Sequence, residues 1–284
     1  MIALSRKSLQ SLIQRALAED AASRDITSRA ILPPDTRIRA AIIAKQSGIL
    51  AGGPLAVWTF QTLDPALRCT LKRRDGARLA KGQVLLTVEG RARFIFAAER
   101  TALNLLGHLS GIATLTHEFV QRVPRRITIL DTRKTLPGLR HLEKYAVHIG
   151  GGTNHRMDLA DAVLIKTNQL KALGHSRTDA IEQAIRRARW RARGKRVEVE
   201  VTNRAEFEAA LLARPDAILL DNWPVARLRE AVRLRGRRRN LRLEASGGVT
   251  LANIRAIART GVDRISIGRL THSAPSLDIS LRVL

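Results

Sequence analysis

Ala217-Ile218-Leu219-Leu220-Asp221 is an apolar run closed by a carboxylate, and five further runs in the second half of the chain resemble it. They are Ile127-Thr128-Ile129-Leu130-Asp131, Ala162-Val163-Leu164-Ile165-Lys166, Val197-Glu198-Val199-Glu200, Leu241-Arg242-Leu243-Glu244 and Arg264-Ile265-Ser266-Ile267-Gly268. Each stops on or beside a charged residue or a glycine, and most are separated by a segment of helical period. Strand-then-helix repetition, with ionisable groups at the carboxyl ends of the strands, is the pattern of an α/β barrel. A buried parallel strand is apolar on both faces, so a charge at its end points into the barrel mouth. Six strands over about 160 residues, against roughly 250 for a full eightfold barrel, predict an incomplete, partly open one.

The first hundred residues read differently. Apolar residues at Leu9, Leu12, Ile13, Ala16 and Leu17 keep a helical spacing over residues 8–20. Ile38, Ala40 and Ile42 then alternate with Arg37, Arg39 and Ala41, the period of a strand. Arg68–Lys72 and Val84–Val88 are further strand candidates, with Asp75-Gly76 and Lys81-Gly82 as turns. A helix from Ala92 to about His108 and another from Ile112 to Val123 join the halves, with a break expected at Ser110-Gly111. The reading places an N-terminal domain at 1–111 and the barrel at 112–271, with the tail at about 272–284 returning to the first domain.

The net charge of +25 comes mostly from 41 Arg against 9 Lys. A basic surface for nucleic acid is one reading. Aromatic residues make up only 3% of the chain, which gives no stacking platform, so the arginines (Arg186, Arg187, Arg189, Arg191, Arg193 and the turn-like Arg235–Arg239) read as solvated surface. A single cysteine, Cys69, excludes an internal disulfide and reads as a small core residue. No stretch has the length of a signal peptide's apolar region or of a membrane span, so a cytoplasmic protein is expected.

Chemistry concentrates after the strands. Asp131-Thr132-Arg133-Lys134-Thr135 sets two cations at one strand end, where Arg133 offers a planar fork to a carboxylate or phosphate. Gly150-Gly151-Gly152-Thr153-Asn154-His155-Arg156 follows a helix expected over Leu139–Ile149, and its glycines allow either a helix C-cap or a close backbone approach. Lys166 ends the next strand. Arg133, Lys134, His155, Arg156 and Lys166 are therefore expected around one mouth, with Glu200, Asp221 and Glu244 opposite. Of Glu198 and Glu200, which share a face, Glu200 lies nearer the carboxyl end and is preferred. Carboxylates facing such a pocket suit ribose hydroxyls or a Mg²⁺ bound to a diphosphate. Ser246-Gly247-Gly248 and Gly268-Arg269 follow the last two strands, where barrels commonly bind phosphate, with Thr250 as cap of a helix over Leu251–Arg259. The chain has no nucleophile with a matching base, no Cys/His metal spacing, no G-x-G-x-x-G after a strand and no P-loop. Group transfer by positioning and electrostatics remains.

These stretches resemble the quinolinate phosphoribosyltransferase family, also called nicotinate-nucleotide pyrophosphorylase (carboxylating). The likeness runs through Asp25-Ile26-Thr27-Ser28, Glu99-Arg100-Thr101-Ala102-Leu103-Asn104, Asp131 to Arg140, Gly150 to Arg156, Leu220-Asp221-Asn222, Glu244-Ala245-Ser246-Gly247-Gly248 and Thr271-His272-Ser273-Ala274-Pro275. The resemblance implies an N-terminal α/β sandwich, an open six- to seven-stranded barrel of TIM-like type and a head-to-tail homodimer or higher oligomer. The implied reaction joins quinolinate to phosphoribosyl pyrophosphate, giving nicotinate mononucleotide, CO₂ and pyrophosphate, with Mg²⁺ and no organic cofactor, in NAD biosynthesis. It assigns quinolinate to Arg133, His155, Arg156 and a neighbouring subunit's Arg100. Lys134 and Lys166 would reach both substrates, Glu200 and Asp221 would hold the ribose and steer Mg²⁺, and Ser246, Gly247, Gly268 and His272 would bind the 5′-phosphate. Membrane and specific nucleic-acid partners are not expected. Three positions depart from the family pattern. Thr167 replaces an acid, Gln169 replaces a histidine, and Asp158 replaces a glycine. They raise the alternative of a paralogue from a branch associated with molybdenum transport, although that branch typically has proline where this chain has Asn154.

Overall fold

The computed structural model describes residues 4–174, 176–238 and 240–284, in two compact units. Arg239, the end of the expected Arg235–Arg239 turn, lies outside the described residues.

The first unit takes in the chain up to His117 together with Leu136–Gly151 and Ser273–Leu284. Its four-stranded antiparallel sheet has the order Ile279–Val283, Arg37–Ala44, Val84–Arg91, Arg68–Leu71. Register is fixed by pairs such as Ala40 with Val283 and with Val88. Helix Arg6–Glu19 buries Leu9, Ile13 and Leu17, one stripe of its 3.6-residue period. Cys69 is half-buried on the Arg68–Leu71 strand, where burial pushes its thiol up to about 11.

Two expectations change here. The break at Ser110-Gly111 does not occur, and a single helix runs from Ala92 to Val120. Gly111 serves packing instead: a Cβ there would lie 2.0 Å from the Pro275 carbonyl oxygen, so only glycine allows the approach. Residues 136–151, expected in the barrel half, group with the first unit. Within it, Glu143 bonds His108 at 3.0 Å and Tyr145 donates to Asp75 at 2.6 Å, while Gly150 lies against the Ala113 carbonyl.

The second unit, Glu118–Thr135 and Gly152–His272, holds a six-stranded parallel sheet. Its barrel strands are, in chain order, Thr128–Leu130, Val163–Ile165, Val197–Val201, Ala217–Asp221, Arg242–Ser246 and Arg264–Ser266. The second to sixth pair in succession, and the sixth pairs with the first. No ladder joins the first strand to the second among the described residues. A single bridge between Leu130 and Thr153 covers part of that seam. The barrel is open, as expected.

Alternation within the third strand explains where its charges go. Val197, Val199 and Val201 are fully buried, while Glu198 and Glu200 take the opposite face. The fifth strand corrects the placement of Glu244. It continues to Ser246, so Glu244 is its middle residue, fully buried, and does not stand at the mouth. The helix expected over Leu251–Arg259 is confined to Ile254–Ala258. Thr250 and Asn253 close the preceding turn by bonding each other's backbone N–H groups at 3.3 and 2.8 Å.

Candidate active site

The ends of the barrel strands assemble two connected groups of side chains. The first surrounds Asp221, the last residue of the fourth strand. Burial and then the nearby Glu200 raise its carboxyl above the ordinary range, while Asn222, Lys134 and Lys166 oppose the rise. Two half-buried acids and two exposed ammonium groups therefore act on one another at this strand end. Lys134 is anchored by its backbone, whose carbonyl accepts the Thr271 hydroxyl at 2.7 Å. Its side chain borders Gly268, where a Cβ would lie 3.0 Å from the lysine Cδ and 3.1 Å from His272 Nε2. Glu200 is fixed by Thr167, whose backbone N–H and hydroxyl donate to the same Oε1 at 3.2 and 2.7 Å. Gln169 caps the helix that begins after Lys166, accepting the Lys166 N–H at 2.6 Å.

Two turns interlock behind Asp221. Asn222 adopts a left-handed φ of 57°, donates its N–H to the Ser246 carbonyl at 2.8 Å and its side-chain amide to Asp221 at 3.0 Å. Gly247 has φ +87°, and a Cβ there would lie 2.2 Å from Asn222 Oδ1. The exposed Ser246-Gly247-Gly248 backbone thus owes its path to residues that tolerate positive φ. Turns of this kind can form a backbone concavity that binds anions.

The second group centres on His155 and Arg156. Asp131, fully buried, accepts the His155 backbone N–H at 2.9 Å and the Asn154 side-chain amide at 2.6 Å. The His155 imidazole turns into the barrel, with Nε2 3.2 Å from Glu198 and 3.5 Å from Glu244. Burial alone would lower its pKa, but the two carboxylates outweigh burial and raise it to about 9. Burial and Glu244 also raise Glu198. Arg156 donates to the Ala162 carbonyl at 3.1 Å, and burial and then Arg133 pull its guanidinium below the usual value. Arg133 has a buried Nε with no hydrogen-bond partner among the described residues. Two neighbouring guanidinium groups, one with an idle donor, form a receptor for a carboxylate.

A cavity of about 530 Å³ runs beneath this second group. His155, Arg156, Glu198 and Arg264 line it, and it extends to Thr128, Val163 and Ala217 at the amino-terminal ends of the strands. Lys134, Lys166, Glu200 and Asp221 do not line it. The structure thus separates His155 and Arg156, which line the cavity, from Lys134 and Lys166, which do not, while Arg133 neighbours Arg156 without lining it. Arg100 is exposed on the helix Ala92–Val120 and belongs to the first unit. Asp158 is exposed and closes a loop by accepting the N–H groups of Ala160 and Asp161 at 2.8 and 3.0 Å.

Sequence reasoning passed over Glu198 and Arg264 and set Glu244 too high. The Val-Glu-Val-Glu-Val alternation carried the signal for Glu198: an acid two residues below a strand's end lies inside the barrel. Arg264 opens its strand and gave no such cue. Its charge helps to hold Glu198 ionised.

Comparison with known proteins agrees with this geometry. The N-terminal domain of quinolinate phosphoribosyl transferase matches residues 25–110, and its C-terminal domain matches residues 112–282. A nicotinate-nucleotide pyrophosphorylase (carboxylating) of Mycobacterium leprae is 43% identical over 274 residues, covering 95% of each chain. A probable enzyme of the same name from Bacillus subtilis is 41% identical over 277 residues, covering 97% of this chain and 93% of its own. Among solved structures, NadC from Streptococcus pyogenes is 37% identical and covers 100% of both chains, with a TM-score of 0.92. The nicotinate-nucleotide pyrophosphorylase of Francisella tularensis has the same identity and TM-score, covering 100% of this chain and 98% of its own. With both domain models matched in order, and with the charged residues gathered at one barrel, this chain belongs to the quinolinate phosphoribosyltransferase family.

Proposed function

We propose that the protein transfers the phosphoribosyl group of phosphoribosyl pyrophosphate to quinolinate, with loss of CO₂, giving nicotinate mononucleotide and pyrophosphate for NAD biosynthesis. The observation that carries this reading is that Arg133 neighbours Arg156 while the next residue, Lys134, acts with Lys166 and Glu200 on Asp221. Arg133 and Arg156 hold the two ring carboxylates, and Lys134 and Lys166 meet the diphosphate. Glu200 and Asp221 hold the ribose hydroxyls, and the Ser246-Gly247 turn with Gly268 and His272 receives the 5′-phosphate.

The quinolinate ring nitrogen attacks the anomeric carbon. Its C–N bond forms as the C–O bond to pyrophosphate breaks, and Glu200 and Asp221 offset the positive charge that develops on the sugar. The ring nitrogen is then cationic. It stabilises the carbanion left when the adjacent carboxylate departs as CO₂, and that carbon takes up one proton. Two carboxylates beside each other, with Asp221 raised by Glu200, suit a hard dication with oxygen ligands. Glu200 and Asp221 are the residues that would hold Mg²⁺, which would neutralise charge on the diphosphate.

The unit of function in this reading is a cytoplasmic homodimer whose partner lends Arg100 to each site. Among the described residues, no helix is long and apolar enough to cross a membrane. Asn154 favours quinolinate over the paralogue reading, because its amide bonds Asp131 and a proline there would lose that bond. The test incubates purified protein with quinolinate, phosphoribosyl pyrophosphate and Mg²⁺ and follows nicotinate mononucleotide by chromatography, with nicotinate and other ring acids alongside. Turnover of quinolinate above all of them is expected. Turnover of another acid in its place, or none, overturns the reading.

A further inference from the structure

Both ring nitrogens of His155 are occupied inside the protein. Nδ1 accepts the backbone N–H of Arg156 at 2.8 Å, and Nε2 faces Glu198 and Glu244. Whatever the charge on the ring, the two carboxylates facing Nε2 favour a proton on that nitrogen, which is donated to Glu198. This decides between two meanings of the cluster. An imidazole and two carboxylates whose ligand atoms lie within 4.8 Å of one another could hold a divalent cation. A metal would need a bare Nε2, whereas the two carboxylates facing it favour a proton there. A shared proton fits the geometry and a metal does not.

Buried acids are costly unless partnered, and neither Glu244 oxygen makes a regular hydrogen bond. Such an arrangement persists where it holds something in place. What it holds is the His155-Arg156 pair, fixed at three points: the backbone N–H of His155 on Asp131, Nδ1 on the next residue's backbone, and Nε2 on the barrel interior.

We infer that Glu198 and Glu244 are positioning residues that grip His155 through Nε2–H, and that His155 in turn aims Arg156 at the diacid instead of donating to substrate itself. This rests on the quinolinate reading above.

The experiment has two arms. In uniformly ¹⁵N-histidine-labelled protein, with His155 assigned by the His155→Gln variant, a slowly exchanging proton is expected on His155 Nε2. It should survive added Zn²⁺. An unprotonated Nε2, or loss of the signal to Zn²⁺, overturns the inference whatever the enzyme's substrate. In the kinetic arm, Glu198→Gln and His155→Ala are expected to raise the KM for quinolinate about tenfold or more, the scale of a lost charge-assisted hydrogen bond. The kcat and the KM for phosphoribosyl pyrophosphate should stay within about threefold, as for lost ground-state binding. His155→Gln keeps an amide donor toward Glu198 and should recover most of the quinolinate KM. A glutamine variant as impaired as alanine makes His155 a direct ligand and overturns the inference. If wild-type protein turns over no quinolinate, the functional reading fails, and the spectroscopic arm still judges the anchor.

Discussion

Thr167, where the resemblance led to an expected acid, gives Glu200 two hydrogen bonds in place of a like charge. The substitution removes repulsion from a mouth that already holds Glu200 and Asp221, and it fixes the Glu200 rotamer. Thr167→Ala leaves the backbone bond but deletes the hydroxyl, and kcat/KM for phosphoribosyl pyrophosphate should fall by about tenfold, the scale of one hydrogen bond to a charged group. An unchanged value would mean that Glu200 is held by other means. Lys134→Ala deletes a whole charge and should lower kcat/KM by at least about 100-fold, as for the loss of one preorganised electrostatic group. At Gly247, a methyl group would meet Asn222 at 2.2 Å on a backbone with φ +87°. Gly247→Ala should therefore cost about 1–2 kcal/mol of stability from the left-handed backbone alone, read by denaturant unfolding. It should also raise the KM for phosphoribosyl pyrophosphate and leave that for quinolinate unchanged.

Helices and strands show where local patterns suffice and where they stop. The six barrel strands were legible because period-2 and 3.6-residue patterns are written over a few consecutive residues. The helix Ala92–Val120 was misread as two because Ser110-Gly111 carries the composition of a break. The glycine instead makes room for the Pro275 carbonyl, more than 160 residues away, which no local window contains. By helix propensity, Gly111→Ala should stabilise the protein by about 1 kcal/mol. By packing against the Pro275 carbonyl it should destabilise by about 1–3 kcal/mol, and chemical denaturation will show the second sign. The depth of Glu244 was hidden for a related reason: one strand's end is set by its neighbours, here the pairing of Ser246 with Asp221 and Ser266. The helix Ile26–Ile31 offers a pH test. Asp25 accepts the Ser28 N–H at 3.1 Å, and hydrogen bonds from Ser28 hold its carboxyl below the usual range. Because the folded-state pKa is depressed, the stability it contributes is present above the unfolded value and is lost as pH falls through the folded one. Asp25→Ala should cost about 1 kcal/mol at neutral pH and almost nothing in strong acid, measured by unfolding at both.

At the scale of the molecule, a net charge of +25 says little about chemistry, because most of it is surface arginine. Arg186, Arg187, Arg189, Arg191 and Arg193 are all exposed, whereas Arg133 and Arg156, proposed to hold quinolinate, are half-buried. The proposed sharing of Arg100 between subunits has a direct assay. Arg100→Ala and Lys134→Ala variants, each inactive, are mixed after reversible dissociation. Random pairing in a twofold dimer leaves one intact site in each hybrid, so activity should return to about a quarter of wild type. No recovery places Arg100 in its own subunit's chemistry or outside it. The seam of the barrel has a consequence for motion. The segment carrying Asn154, His155 and Arg156 lies across that seam, where Thr153 makes backbone bonds to Ile129 at 2.8 Å and to Asp131, just past the first strand, at 3.3 Å. Opening it would melt no ladder but would break its grip on Asp131 and on the barrel interior, as a stave pegged from inside resists lifting where no hoop crosses it. Amide deuteration should therefore reach residues 154–162 well before the Val197–Val201 strand, and a bound diacid should slow it there first.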